Sequence, residues 1–256
     1  MPHVRNRRKK LKVVAVIPAR YGATRFPGKP LAPIAGKAMI QRVFEQAQQA
    51  KSLARVLVAT DDERILQAVA AFGGDAVMTR ADHRSGTERM AEVAVQIAAD
   101  AYVNVQGDEP LIDPAAIDAA VGALCEDAAV NTSTISVPIR NPADIMDPNV
   151  VKVVVDFQGD ALYFSRAPIP WVRDDSLRLE AQHAKHLGLY VFRRDALIEF
   201  PTLPPGQWEK LEQLEQLRLL ENGYKIRVVE TEQDSVSVDV PADVARVEEI
   251  LATQGS

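Results

Sequence analysis

The sequence predicts an α/β protein built on a doubly wound, mostly parallel sheet, and three observations carry that expectation. Short apolar runs of strand length recur along the chain. Between them lie segments of roughly ten residues with helical hydrophobic spacing. A cation-rich loop bearing glycines follows the first apolar run directly, at the place where open α/β sheets bind ligands. The chain has 256 residues, 47% apolar and 25% charged, enough for one large domain with a sizeable core and a small appended lobe.

The elements follow in order. Val13 to Ile17 is a continuous apolar run ended by Pro18, the pattern of a strand buried on both faces. Ala38 to Ala50 sets Met39, Ile40, Val43, Phe44 and Ala47 on one helical side. Arg55–Thr60 is the second strand, and Asp61-Asp62 stand where a cap is needed for a helix over Glu63–Phe72, closed by Gly73-Gly74. Asp75–Met78 is a third strand; a polar stretch, whose plain alternative is a loop with Thr87 as N-cap, leads to a helix over Glu88–Ala98. Ala101–Gln106 is a fourth strand, and Asp113-Pro114 starts a helix running to Leu124. Thr132–Pro138 is again a strand.

From Val150 the rhythm changes. Val151–Val155, Ala161–Phe164 and Leu187–Phe192 read as strands, with no full helix between the first two and a hairpin turn at Gly159. This marks a small β-rich lobe at about 139–190, suited to a dimer surface. Glu209–Asn222 reads as one amphipathic helix carrying Leu211, Leu214, Leu217, Leu219 and Leu220 and closed by Gly223. Lys225–Glu230 is a strand, and Asp239-Val240-Pro241 opens a last helix to about Leu251.

Charge is uneven. The net charge is −5, and the six cations of residues 1–12, which hold no acid, leave the remainder at −11. No aromatic is interleaved with that arm and the body is acidic, so a disordered, solvated extension is expected and not a nucleic-acid contact. The rest, 13–256, reads as a single domain. No apolar run approaches the ~18 residues of a membrane span, and no secretory leader is evident, so a cytoplasmic protein without membrane contact is expected. The single cysteine, Cys125, excludes an internal disulfide framework and reads as a small residue packed inward on its helix.

The loop Pro18–Pro30 gathers Arg20, Arg25 and Lys29 with two glycines. Glycine lets backbone approach an anion, and guanidinium forks match phosphate oxygens. It is not a Walker A loop, since five residues separate Gly22 from Gly28 and Pro30 follows the lysine. It reads as a phosphate loop of another kind, the alternative being an ordinary basic surface loop. Asp108 lies just past the fourth strand, in Val105-Gln106-Gly107-Asp108-Glu109, facing the same crevice. A carboxylate there suits Mg²⁺, which takes one or two acids plus substrate phosphates; the alternative is a turn acid. Asp239 is the candidate second acid, its alternative being the cap of the final helix. Thr79–Arg89 is a polar stretch at the same edge, suited to reading a base or sugar. His183 and His186 stand three apart, which would be helical ligand spacing, but no third ligand is near and zinc is not expected. Nucleophile elbow, HExxH and kinase signatures are absent, which leaves direct displacement on a metal-bound phosphate.

Seven segments in order, IPARYGATRFPGKPL, TRADHRSGTER, VNVQGDEP, LYFSRAPIPW, HLGLYVF, LEQLR and VDVPADV, resemble the 3-deoxy-manno-octulosonate (Kdo) cytidylyltransferases, the CMP-Kdo synthetases, from Val13 to about Val247. The resemblance implies a nucleotidyltransferase-type, Rossmann-like three-layer fold with a β-rich dimerisation lobe, and a homodimer. It implies transfer of CMP from CTP to Kdo with Mg²⁺ and release of pyrophosphate, a step in lipopolysaccharide biosynthesis. It places Arg20, Arg25 and Lys29 on the phosphates, Ser85, Gly86 and Arg89 near the nucleotide, and Gln106 at its junction with the sugar. It gives Asp108 and Asp239 as metal ligands, with Arg20 and Lys29 beside them in catalysis. For the sugar acid it gives Arg166, His186, Gly188, Tyr190, Glu215 and Gln216, with Arg166 on the substrate carboxylate. Ala23 stands where relatives often carry serine, and residues 173–183 match the pattern less closely. An 8-amino-Kdo or sialic acid substrate keeps the same reaction. A nucleotide-sugar glycosyltransferase or a non-catalytic nucleotide-binding module are readings of other classes; the first would normally show a DxD pair, where this chain has Gly107-Asp108-Glu109.

Overall fold

The computed structural model describes residues 11–22, 26–177 and 182–254. The basic extension falls outside these up to residue 10, as does Arg25. From Leu11 onward the chain is tied in: Leu11 packs on the core and the Lys12 N–H donates to Asp100 at 2.7 Å.

Strand β1 (Val13–Ala19) comes first, then a 3₁₀ turn at Lys29–Leu31 and a small hairpin of β2 (Pro33–Ile34) and β3 (Lys37–Ala38). Then follow α1 (Met39–Ala47), β4 (Arg55–Thr60), α2 (Glu63–Ala71), β5 (Ala76–Met78), α3 (Gly86–Gln96) and β6 (Ala101–Asn104). The second half holds α4 (Pro114–Glu126), β7 (Thr132–Pro138), α5 (Pro142–Met146), β8 (Lys152–Val155), β9 (Ala161–Ser165), β10 (Ala184–Arg193) and α6 (Arg194–Glu199). It closes with α7 (Gln207–Glu212), α8 (Leu217–Glu221), β11 (Ile226–Glu230) and α9 (Pro241–Gln254).

The central sheet runs β11-β7-β10-β6-β1-β4-β5, all parallel pairings except those of β10, which is antiparallel to both β6 and β7. Alternation along β1 shows why a continuous apolar run is required. Val13, Ala15, Ile17 and Ala19 face a core built with α1, α2 and α4, whereas Val14 and Val16 face one built with α3, α6 and α8. A sheet covered on both faces can expose no side of its strands to water, so every position is apolar. The chain steps from β1 outward to β4 and β5, then returns to the other side of β1 as β6. That reversal opens a crevice at the carboxyl ends of β1 and β6, the switch point where α/β sheets take ligands.

The β-rich segment is not a separate sheet. The β8–β9 hairpin pairs with the amino end of the ten-residue β10 and so extends the central sheet. Gly159 turns the hairpin at φ 81°, as expected. A third cluster joins Ile34 and Met39 to Val238 and Val247, with Phe26, Leu111, Val236 and Val244 around it. It docks α9 on the β2–β3 hairpin and fixes the approach of the chain to Asp239.

Several local expectations need correction. The predicted helix over 209–222 is two helices, α7 and α8, separated by Gln213 in the left-handed region at φ 51°. The cause lies outside the segment. Arg166 donates from Nε to the Glu212 carbonyl at 2.8 Å and from Nη2 to the Gln213 carbonyl at 3.4 Å. It thereby satisfies carbonyls that further helical turns would have used. Leu214 and Leu217 are then buried, while Leu211, three residues earlier, is 73% exposed. Cys125 is exposed, not packed inward, because it lies in the last turn of α4 beyond the stripe ending at Leu124. Ser85, not Thr87, caps α3: its hydroxyl accepts from the Glu88 N–H at 3.2 Å. His183 precedes β10 and His186 lies within it, so the pair never has helical spacing. Asp62, Asp113 and Gly73 perform the capping roles assigned to them.

Candidate active site

Eight of the residues singled out by sequence line one crevice of about 310 Å³: Arg20, Lys29, Ser85, Gly86, Arg89, Gln106, Asp108 and Asp239. Each wall has a local cause.

The first wall leaves β1 after Ala19 and closes where the Gly28 N–H donates to the Tyr21 carbonyl at 3.0 Å. Gly28 sits at φ 71°, and a Cβ there would also meet the Tyr21 ring at 3.2 Å, so the closure requires glycine. Arg64 stacks over the other part of Tyr21, its guanidinium carbon 3.4 Å from the ring centroid. The 3₁₀ turn then points Lys29 inward. Its Nζ donates to Asp108 Oδ2 at 2.7 Å and lies 3.6 Å from Asp239 Oδ1.

The second wall is the exit of β6. Gly107 passes so close to β1 that a Cβ would stand 2.9 Å from the Pro18 carbonyl oxygen. Only glycine lets the two strand ends meet, and Asp108 follows immediately. The Val238 N–H donates to the Asp108 carbonyl at 2.9 Å, with the Val238 side chain fully buried. That bond and that burial, worth about 1.5–3 kcal/mol for a valine-sized side chain, set Asp239 beside Asp108 across a sequence separation no local pattern reports. Asp243 reaches back from α9 to accept from the N–H groups of Asp239 and Val240 at 2.8 and 2.9 Å. Glu109, buried behind Asp108, is pushed up to about 7 by burial first and by the neighbouring Asp108 charge second, with the Ser235 hydroxyl opposing.

The third wall is the amino end of α3, whose unpaired N–H groups favour an anion. Arg89 is buried and fixed by Thr79 Oγ1 at 2.5 Å and by Asp61 Oδ1 at 3.4 Å. Sequence reading gave Asp61 only a capping role; its position at the carboxyl end of β4 was the available sign that it faces this edge. His83 also lines the crevice and bonds Glu92 through Nε2 on the far side, a contact no motif suggested.

Arg166, His186, Gly188, Tyr190, Glu215 and Gln216 do not line this crevice but adjoin it. Gln106 Nε2 donates to the Gly188 carbonyl at 2.9 Å. That carbonyl is available because β10 bulges there: Leu187 pairs with Ile135 and Tyr190 with Thr134, leaving Gly188 and Leu189 unpaired against β7. The Thr134 hydroxyl donates to the Leu189 carbonyl at 2.7 Å and so accepts from His186 Nε2 at 2.9 Å. Burial holds the imidazole down to about 3, so it is neutral. Its ring lies 5.3 Å from that of Tyr190. Tyr190 is raised by burial and by Glu215. Glu215 sits in the turn between α7 and α8 and accepts from the Thr87 hydroxyl at 2.6 Å; burial raises its pKa while Ser85 and Thr87 pull it back. Gln216 is buried at the start of α8. Arg166 gives three of its five N–H donors to the carbonyls of Pro148, Glu212 and Gln213. It holds the turn that carries Glu215 and Gln216.

Asp108 and Asp239 both lie within reach of the Lys29 ammonium, and among the described residues no group of three or more acids, histidines or cysteines stands close enough to hold a metal ion.

A family model described as "Cytidylyltransferase" matches residues 14–226. The chain is 57% identical over 244 residues to the 3-deoxy-manno-octulosonate cytidylyltransferase of Syntrophotalea carbinolica, covering 93% of this chain and 98% of that one. It is 56% identical to the enzyme of the same name from Solibacter usitatus, covering 94% of each. A solved structure of CMP:2-keto-3-deoxy-manno-octonic acid synthetase complexed with CTP superposes with a TM-score of 0.91 at 47% identity, over 95% of this chain and 99% of that one. A 4-diphosphocytidyl-2C-methyl-D-erythritol synthase from Anaerococcus prevotii shares the fold at a TM-score of 0.61 and 12% identity.

Proposed function

The chain belongs to the 3-deoxy-manno-octulosonate cytidylyltransferases, and from that premise we propose that it transfers CMP from CTP to the anomeric 2-hydroxyl of Kdo, giving CMP-Kdo for lipopolysaccharide biosynthesis and pyrophosphate. The observation that carries this reading is the convergence of Arg20, Lys29, Arg89, Gln106, Asp108 and Asp239 in one crevice at the switch point.

In this reading the crevice takes CTP. Arg20 and Lys29 bind the triphosphate, the amino end of α3 with Ser85 and Gly86 receives the nucleotide, and Arg89 is held ready by Thr79 and Asp61. Arg25 is assigned to the same phosphates by its place in the loop. The sugar acid lies beyond Gln106, where a neutral His186, Tyr190, the Gly188 carbonyl, Glu215 and Gln216 surround its hydroxyls. Arg166, which clamps the turn carrying Glu215 and Gln216, is assigned to the carboxylate of the sugar acid by the fork geometry of its guanidinium. The sugar hydroxyl gives its proton to water as its oxygen attacks the α-phosphorus in line, the bond from the α-phosphorus to the bridging β-phosphate oxygen breaks, and pyrophosphate departs among the loop cations. Positioning and fixed charge supply the rate, with no covalent intermediate on the protein. Asp108 and Asp239 fit Mg²⁺ by donor type and mutual closeness, and would hold it against the phosphates. When bound, the ion supplies neutralisation of charge on the reacting phosphate and leaving group.

We assign the homodimer contact to the β8–β9 hairpin. Phe157 at its tip is fully exposed, and Leu162 and Val155 beside it are 62% and 44% exposed. Apolar side chains clustered this way mark an interaction surface. No helix among the described residues is long and apolar enough to cross a membrane, and we place the enzyme in the cytoplasm, where CTP is found. The reaction is tested by pyrophosphate release with CTP and Mg²⁺ in the presence of Kdo, 8-amino-Kdo or N-acetylneuraminate. Turnover with Kdo foremost is expected. Turnover with only one of the other two would reassign the sugar, and CTP binding without any release would make the chain a nucleotide-binding module.

A further inference from the structure

We propose that Lys29 occupies the cation seat between Asp108 and Asp239 while no nucleotide is bound, so that the divalent ion enters with the triphosphate and not ahead of it. This rests on the reading of Asp108 and Asp239 as the metal-holding pair.

The geometry is that of a built-in competitor. Lys29 Nζ is 2.7 Å from one carboxylate and 3.6 Å from the other, and it is the more enclosed of the three side chains: 14% exposed, against 31% for Asp108 and 47% for Asp239. Its backbone is fixed. Gly28 is bonded to Tyr21, the 3₁₀ turn closes through Leu31 N–H to the Gly28 carbonyl at 2.8 Å, and Pro30 is buried. The moving part is the four-carbon stem, which carries a compact charge with freely rotating donors. With the stem inward, a metal ion must displace a cation already hydrogen-bonded to Asp108 and enter against its repulsion.

A triphosphate changes the balance. It gives Lys29 oxygens to bind on the other side of the crevice, which frees both carboxylates. Metal and nucleotide therefore bind with positive coupling, and by linkage each raises the affinity of the other by the same factor. The lysine has two successive partners: the carboxylate pair in the empty enzyme and the phosphates in the loaded one.

The test is Mn²⁺ titration of the intact protein without sugar acid, so that no turnover occurs, reading free Mn²⁺ by electron paramagnetic resonance. Wild type, Lys29→Met, Asp108→Asn and the double variant are compared with and without CTP. Methionine keeps an unbranched stem and removes the charge. Lys29→Met is expected to bind Mn²⁺ about tenfold more tightly than wild type in the absence of nucleotide, within the usual range of coupling between sites. The double variant should lose that gain. Equal nucleotide-free affinity of wild type and Lys29→Met overturns the proposal, as does a gain that survives Asp108→Asn. Lys29→Gln, with a polar neutral head, is read by the same criteria should the methionine variant fail to fold by circular dichroism. If Asp108→Asn leaves Mn²⁺ binding in the presence of CTP unchanged, the metal-pair reading itself falls. If it weakens that binding while Lys29→Met leaves nucleotide-free binding as it was, only the role of Lys29 falls.

Discussion

Replacing Gly107 with alanine tests whether the approach of β1 and β6 sets the position of Asp108. The added Cβ would lie 2.9 Å from the Pro18 carbonyl oxygen, whereas ordinary contact begins at 3.4 Å. The two strand ends must therefore part by about 0.5 Å, and the obstructing atom is backbone, which cannot turn aside as a side chain would. Overpacking of this kind costs about 1–3 kcal/mol. At about 2–4 °C per kcal/mol for a domain of this size, the melting temperature should fall by several degrees. Asp108 is the next residue and moves with the strand end. Since a displacement of about 1 Å costs on the order of 100-fold in rate, half of that should lower kcat roughly tenfold. Gly122→Ala is the matched control. A Cβ there meets nothing within 4 Å on α4, and glycine-to-alanine in a helix should stabilise by about 0.5–1 kcal/mol. The assay is pyrophosphate release under saturating CTP and Kdo, with melting followed by circular dichroism. A Gly107→Ala enzyme as active and as stable as Gly122→Ala would refute the argument that strand proximity places Asp108.

Asp108→Asn should abolish turnover and leave the melting temperature near that of wild type; near-normal pyrophosphate release would remove Asp108 from the chemistry. Arg166→Ala releases the carbonyls of Glu212 and Gln213, so the KM for the sugar acid should rise well above that for CTP, and a rise confined to CTP would show that the clamped turn does not serve the sugar. His186 fixes a pH dependence. Its pKa is lowered from 6.5 to about 3 by burial, so the unfolded chain binds the extra proton across that interval and the native state does not. Stability is complete above about pH 6.5 and is lost progressively as pH falls towards 3. His186→Gln, which can still donate to Thr134, should flatten the melting temperature against pH between 6.5 and 4.5; an unchanged slope would mean that the imidazole is not held neutral.

The parallel sheet was legible because its cause is local. A strand buried on both faces must be apolar throughout, as Val13–Ile17 is, and a helix on such a sheet must show one apolar side, as Met39–Ala47 does. The caps at Asp62 and Asp113 were legible for the same reason, since a cap bonds within three residues of itself. The crevice residues could also be found: cations and acids just past the ends of apolar runs lie at one sheet edge in any doubly wound fold.

What the tertiary structure decided is every pairing between distant residues. Periodicity read 209–222 as one helix because the leucines allow it; the break at Gln213 comes from Arg166, 47 positions away, taking the carbonyls that would continue the turn. Glu215, inside that span, lies in the turn and accepts from Thr87, 128 positions away. The antiparallel insertion of β10 between β6 and β7, and the bulge that turns Gly188 towards Gln106, depend on register and leave no mark in the order of residue types. The sequence by itself determined the layered sheet, the ends of its strands and the set of charged residues gathered there. Which cation faces which acid was decided only by packing. Lys29 meets Asp108 and Asp239 because Gly107 brings two strands together and Val238 buries itself beside them, and steric fit between remote segments is not encoded in any local pattern.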